Sequence, residues 1–168
     1  MQRRTLLKLG LGSAAVLAVA GTGVAWLRPG LDAAGLTPAG RTVFAAVARA
    51  VLDGVLPKDG AQQADAIDAQ LRRLDTTIAA LPRHARDELS QLLALLASPP
   101  GRLAFAGLAP SWAEADVPAL QSALVAMRDS SLSLRQQAYH ALRDLTNAAY
   151  FADPAAWPAL QYPGPVAL

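Results

Sequence analysis

Apolar residues recur every three or four positions along most of this 168-residue chain, the spacing of one face of an α-helix. Thr37-Pro38 offers a capping hydroxyl and a proline for a first turn. Val43, Phe44, Val47, Val51, Leu52 and Val55 follow on one stripe, until Pro57 stops it and Lys58-Asp59-Gly60 makes a turn. A second helix is expected from about Ala64 to Leu81, with Ile67, Leu71, Leu74 and Ile78 inward and Asp68 and Arg72 paired on the wet side. Pro82 opens a third, which carries Leu89, Leu92, Leu93 and Leu96 to a break at Ser98-Pro99-Pro100-Gly101. A short helical piece from Arg102 to Leu108 and a loop over Ala109–Trp112 come next. Asp116 caps a helix bearing Leu120, Leu124, Val125 and Met127. Ser130 or Ser131 caps the last one, which runs to about Phe151 with Leu134, Ala138, Leu142, Leu145 and Ala149 inward. No run of β-branched residues reads as a strand, and there is no internal repeat.

Both ends depart from this pattern. Residues 28–37 hold Pro29, Gly30 and Gly35 and read as a linker. Before them, Arg3, Arg4 and Lys8 precede an uncharged stretch from Leu9 to Leu27, the layout of an export signal. Arg3-Arg4 with Leu6, Leu7 and Lys8 after it resembles a twin-arginine (Tat) signal, with Gln2 where a Ser or Thr is usual. Ala18-Val19-Ala20 and Gly23-Val24-Ala25 both offer small residues for cleavage. Retention is the alternative, because nineteen uncharged residues span about 28 Å as a helix, close to a hydrocarbon core. At the other end, residues 153–165 hold four prolines, with Trp157 and Tyr162 among them. Such a tail either folds back over the bundle or offers rigid aromatic area to a partner, and the two are compatible. The expected fold is therefore all-α. It is a compact bundle of about five to six helices over 38–152, preceded by a signal or anchor helix over 1–27 and the linker. An irregular Pro- and aromatic-rich tail over 153–168 ends it.

Composition supports helices: hydrophobic residues are 53% of the chain and aromatics 5%, with Ala and Leu dominant. The absence of Cys excludes disulfides, thiolate metal sites and a Cys nucleophile in this chain. The formal charge of +2 depends on the leader. Without Arg3, Arg4 and Lys8, twelve cations face thirteen anions, so the body has no basic stripe for nucleic acid.

Candidate chemistry is sparse. His84 sits between Arg83 and Arg86 at a helix start, and His140 has Asp144 one turn away; an Asp–His pair without a nucleophile is a weak catalytic signal. Ser130-Ser131-Leu132-Ser133 reads as capping, and Gly21-Thr22-Gly23 lies in the leader, outside any phosphate-loop context. The acids are scattered, Asp65 with Asp68 and Asp87 with Glu88 included, and have no Ca²⁺-loop spacing. These residues point to no catalytic residue and no metal site in this chain.

The leader around Arg3-Arg4, the Ala/Leu-rich body, and the ending Asn147-Ala148-Ala149-Tyr150-Phe151 followed by Trp157 and Tyr162-Pro163-Gly164 together resemble one family. It is the gluconate 2-dehydrogenase subunit 3 family, the small subunit of membrane-associated flavin dehydrogenases. The resemblance implies a non-catalytic accessory subunit that binds, stabilises and co-exports a large FAD-dependent subunit of the glucose–methanol–choline class. That partner would oxidise a sugar, polyol or alcohol and pass electrons to a c-type, multihaem cytochrome. FAD and haem would belong to the partners and no cofactor to this chain. The implied partner-binding residues are Tyr150, Phe151, Trp157, Tyr162, Pro163 and Gly164, and Arg3, Arg4, Leu6, Leu7 and Lys8 would be read by the Tat translocase. The implied location is the periplasm, anchored to the inner membrane if the leader stays. A free-standing helical scaffold or binding protein in the same compartment is the alternative, and a small hydrolase using His140 and Asp144 is a further one.

Overall fold

The structure, a computed structural model, describes residues 28–160 and 162–164. The expected signal or anchor helix over 1–27 lies outside them. Helix starts follow local capping chemistry. Thr37 Oγ1 accepts from the Gly40 N–H at the start of α1 (Pro38–Val51). Asp59 accepts from Ala61 and Gln62 and starts α2 (Gly60–Ala79) four residues before the expected Ala64. Such a cap is worth about 1 kcal/mol, enough to recruit the polar Gly60–Gln63 turn ahead of the apolar stripe. α3 (Arg83–Ala97) follows Pro82. The break falls at Ser98, whose extended backbone ends α3, and the next helix starts at once and not at Arg102: Ser98 Oγ accepts from Gly101 N–H, and α4 spans Pro99–Ala106. Prolines suit that first turn because their missing N–H has no partner there anyway. Asp116 caps α5 (Val117–Arg128) at 2.8 Å from Ala119 N. Neither Ser130 nor Ser131 caps α6 (Ser133–Phe151), whose N-cap position is Leu132 and carries no side-chain bond.

Among the described residues the fold is mostly helical, with six α-helices. α1 lies at the centre and touches α2, α3, α5 and α6. Its Val43, Phe44 and Val47 are wholly buried, as a helix surrounded by others requires. α2 packs along α6, where Leu71, Leu74 and Ile78 meet Ala138, Leu142 and Ala149 in the core. Each large apolar side chain buried there contributes about 1.5–3 kcal/mol. Within the α2–α6 seam the buried Gln70 donates from Nε2 to the Thr146 carbonyl at 2.8 Å. Trp112, expected in a loop, is core: its Nε1 donates to the Leu96 carbonyl at 2.7 Å. Arg49 holds that loop to α1 through the Trp112 and Ala115 carbonyls.

Four further expectations change. Val55, expected on the first stripe, lies past the end of α1 and is 38% exposed. Val125 is 44% exposed, because it stands about 100° around the helix from Leu124 and off the Leu120–Met127 stripe. Asp68 and Arg72 are both exposed and form no ion pair, in keeping with the small value of surface pairs. Residues 28–37 are not a linker. Leu31–Asp32 (β1) and Gly35–Leu36 (β2) pair antiparallel, Leu31 opposite Leu36 and Asp32 opposite Gly35. The hairpin is bonded into the body at both ends. Gly30 N donates to the Ser90 carbonyl (3.2 Å), Leu31 N to Ser90 Oγ (3.1 Å), and Leu36 N to Asp75 Oδ1 (2.8 Å). Thr37 Oγ1 donates to the Pro29 carbonyl (2.8 Å). Asp75 also pairs with Arg41.

Candidate partner-docking surface

The last helix delivers an aromatic cluster to one end of the bundle. Tyr150 and Phe151 meet edge to face, ring centroids 5.1 Å apart. Tyr150 is half-buried and packs on Leu52 and Leu56, beside the end of α1. Beyond Phe151 the chain turns sharply at Asp153, whose Oδ1 accepts from Ala155 N–H (2.9 Å). The other carboxylate oxygen binds Arg73 on α2. The Ala155 N–H bond first, and the Arg73 guanidinium second, hold the Asp153 carboxyl below the usual carboxylate range.

A short 3₁₀ helix over Pro154–Leu160 then brings Trp157 back. Its indole Nε1 donates to the Phe151 carbonyl at 2.9 Å, satisfying one of the carbonyls that a helix end leaves open. Tyr162 N–H donates to the Trp157 carbonyl (3.2 Å), and the two rings lie edge to face at 5.4 Å. Gly164 closes the turn. It is buried, with φ +96°, and a Cβ there would stand 3.0 Å from the Trp157 ring. Only glycine suits that conformation at that distance.

Four of the expected docking residues thus form two ring pairs, one at the end of α6 and one on the segment that folds back over it. Trp157 is half-buried against the helix end. Tyr162 is 48% exposed, with Pro158 and Pro163 also in solvent. Tyr150 faces the Leu52–Leu56 cluster, so its contribution is to fix the end of α6 and not to present a free ring. Sequence reasoning missed the Arg73–Asp153 tie. The two residues are eighty positions apart, and nothing local in either segment marks them as partners. A second surface also went unread: a shallow apolar groove of about 400 Å³ between α1, α5 and α6. Val51, Leu124, Val125 and Tyr139 line it, beside Gln121 and Arg143.

The other candidates are dispersed. His84 and His140 are exposed, and His140 lies edge-on to Tyr139. Asp144 binds Arg143 at 3.0 Å, so the Asp144–His140 pair does not form. Among the described residues, no group of three His, Asp or Glu is placed to hold a metal ion, and no helix is long and apolar enough to cross a membrane. The leader residues Arg3, Arg4, Leu6, Leu7 and Lys8 lie outside the described residues. Compared with protein-family models, curated proteins and solved structures, the chain matches none of them.

Proposed function

We propose that this chain is a non-catalytic accessory subunit that binds a large FAD-dependent dehydrogenase of the glucose–methanol–choline class and carries it across the inner membrane. The partner oxidises a sugar, polyol or alcohol and hands its electrons to a c-type cytochrome. The twin-arginine leader serves both chains, and the pair works in the periplasm. FAD and haem belong to the partners.

The reading is supported by the two ends of the chain together with the helical body between them. The observation that carries it is the folded-back tail. Trp157 and Gly164 order it, Asp153 ties it to α2, and Tyr162 stays in solvent. An aromatic held in one place has little rotamer freedom left to lose on binding, which makes it a good anchor for a partner. Affinity purification of the full chain from membranes, followed by an absorbance spectrum, tests the reading. A large co-purifying subunit with flavin bands is expected, with haem bands where a cytochrome joins it. A chain that purifies without any flavin-bearing partner overturns the proposal and leaves the free-standing scaffold.

A further inference from the structure

Two Asp–Gly bonds stand six residues apart in the chain, Asp53-Gly54 and Asp59-Gly60, and the fold treats them differently. Chemically they are a matched pair. Glycine puts no side chain beside its amide nitrogen, so that nitrogen can reach the carboxyl carbon of the preceding aspartate. Neither glycine N–H donates a hydrogen bond among the described residues.

Asp53-Gly54 lies in the turn between α1 and α2, and both residues are exposed. The turn is held beyond them, where Val55 and Leu56 N–H both donate to the Leu52 carbonyl at 3.1 Å. The Asp53 carboxylate accepts one long bond, through Oδ2 from Gln121 Nε2 at 3.3 Å. A Cβ at Gly54 would meet nothing within 4 Å, so the space around its backbone is open.

Asp59-Gly60 is the same dipeptide locked in place. Asp59 Oδ1 accepts from the Ala61 and Gln62 N–H at 3.1 and 3.0 Å, and Gly60 already belongs to the first turn of α2. Ring closure needs Cβ, Cα, the main-chain carbonyl carbon and the next nitrogen near one plane, because all four enter a five-membered ring. The ψ of 130° at Asp59 turns them well out of it. Reaching that plane means breaking the cap and unwinding the turn it starts.

We infer that Asp53-Gly54 is a site of self-modification, where aspartate converts through a succinimide to isoaspartate without an enzyme. Gly54 N attacks Asp53 Cγ, and the carboxyl hydroxyl leaves with the amide hydrogen as one water. One water then adds back to the ring. Addition at Cγ restores aspartate, and addition at the Asp53 main-chain carbonyl carbon gives the isoaspartyl link. No atom is gained overall and no electron is transferred. The product runs the main chain through Cβ and Cγ of Asp53, one carbon longer. That carbon enters the turn that carries Leu52 and Leu56 under Tyr150. The inference stands apart from the accessory-subunit reading.

The test is to age the full-length chain in warm neutral buffer, folded and in urea, and to read isoaspartate at each site by electron-based fragmentation of its peptides. In the folded chain residue 53 should convert at least about fivefold faster than residue 59, the factor by which an ordinary helix cap favours the closed turn. In urea the two rates should converge. Equal rates in the folded chain, or a gap that persists in urea, would overturn the inference, because the fold would then not select the site. Gln121→Ala removes the one bond on the Asp53 carboxylate and should raise the rate there about twofold, with residue 59 unchanged. No rise at 53, or a matching rise at 59, would likewise overturn it.

Discussion

The segments flanking the bundle have similar compositions and opposite designs. Residues 28–37 and 153–164 are both short and rich in Pro or Gly, and each is pinned by a carboxylate that also pairs with an arginine of α1 or α2. The N-terminal clasp directs its backbone groups inward. Gly30, Leu31 and Leu36 donate to the body, and Gly30 and Leu36 are buried. The C-terminal tail bonds to itself and to the end of α6, reaches the body through the Asp153–Arg73 pair with α2, and leaves Tyr162 half in solvent. One segment belongs to the core. The other is a shaped surface resting on it. Burial of backbone donors therefore separates the two roles where composition does not.

The sharpest way to break this contrast is a glycine substitution on the clasp side. Gly30→Val drives a branched side chain into Leu93 and the Ser90 carbonyl. Overpacking of that kind costs about 2–3 kcal/mol, and the urea midpoint should fall accordingly with an unchanged slope. A midpoint within error of the parent would mean that the clasp peels away freely, and the two ends would then be alike.

Next in size is removal of the tail. Truncation after Phe151 deletes Trp157, Tyr162 and the Asp153 tie, but among the described residues only Ala156 and Gly164 of the tail are buried. The isolated chain should lose about 1 kcal/mol of stability, read by thermal melt. Binding to the proposed flavoprotein partner should fall about thirtyfold, which corresponds to about 2 kcal/mol, read by co-purification yield at matched concentrations. Equal losses in both measurements would assign the tail to fold capping alone.

Gly164→Ala is subtler. A φ of +96° disfavours any side chain by about 1 kcal/mol, and the new methyl meets the Trp157 ring. The cost falls on the tail and not on the bundle. Hydrogen exchange at the Trp157 indole N–H should quicken while the global melting temperature moves little. A large global shift would show that the tail is part of the core after all.

The helices were readable because their stripes and caps are local. Thr37 and Asp116 each sit three residues before the amide they cap, whereas Asp59 reads as a turn residue and its cap moves the start of α2 forward to Gly60. Where reading went astray, the cause was distance or ambiguity. β1 and β2 are two residues each, too short for alternation to show, and their partners Asp75 and Ser90 lie 39 and 59 positions away. Ser98-Pro99-Pro100-Gly101 reads as a break alone, and it is a start as well, because the Ser98 hydroxyl that follows the end of α3 also caps α4. In the tail, the aromatic residues announce themselves. Their sorting into an inward Tyr150, a bridging Trp157 and an outward Tyr162 depends on contacts with Leu52, Phe151 and Gly164 that no local spacing encodes.

The smallest expected effect sharpens the contrast through pH. Asp153 is half-exposed, its carboxyl held low first by the Ala155 N–H bond and then by Arg73. A carboxyl whose folded pKa lies below its unfolded value of about 3.9 gives its full contribution above that pH. The contribution fades as pH falls through the folded value, because the unfolded tail then takes up the proton first. Acidification below about pH 4 should therefore loosen the tail before the helices melt. The measurement is the Trp157 indole N–H resonance, followed alongside that of the buried Trp112, whose bond to the Leu96 carbonyl involves no titrating group. Trp157 should broaden or shift at a higher pH than Trp112. In Asp153→Asn the charge on the Arg73 partner is gone at every pH, and the early step should vanish. If both indoles respond together in the parent chain, the tail and the core form one cooperative unit, and the separation of the two ends into core and surface fails.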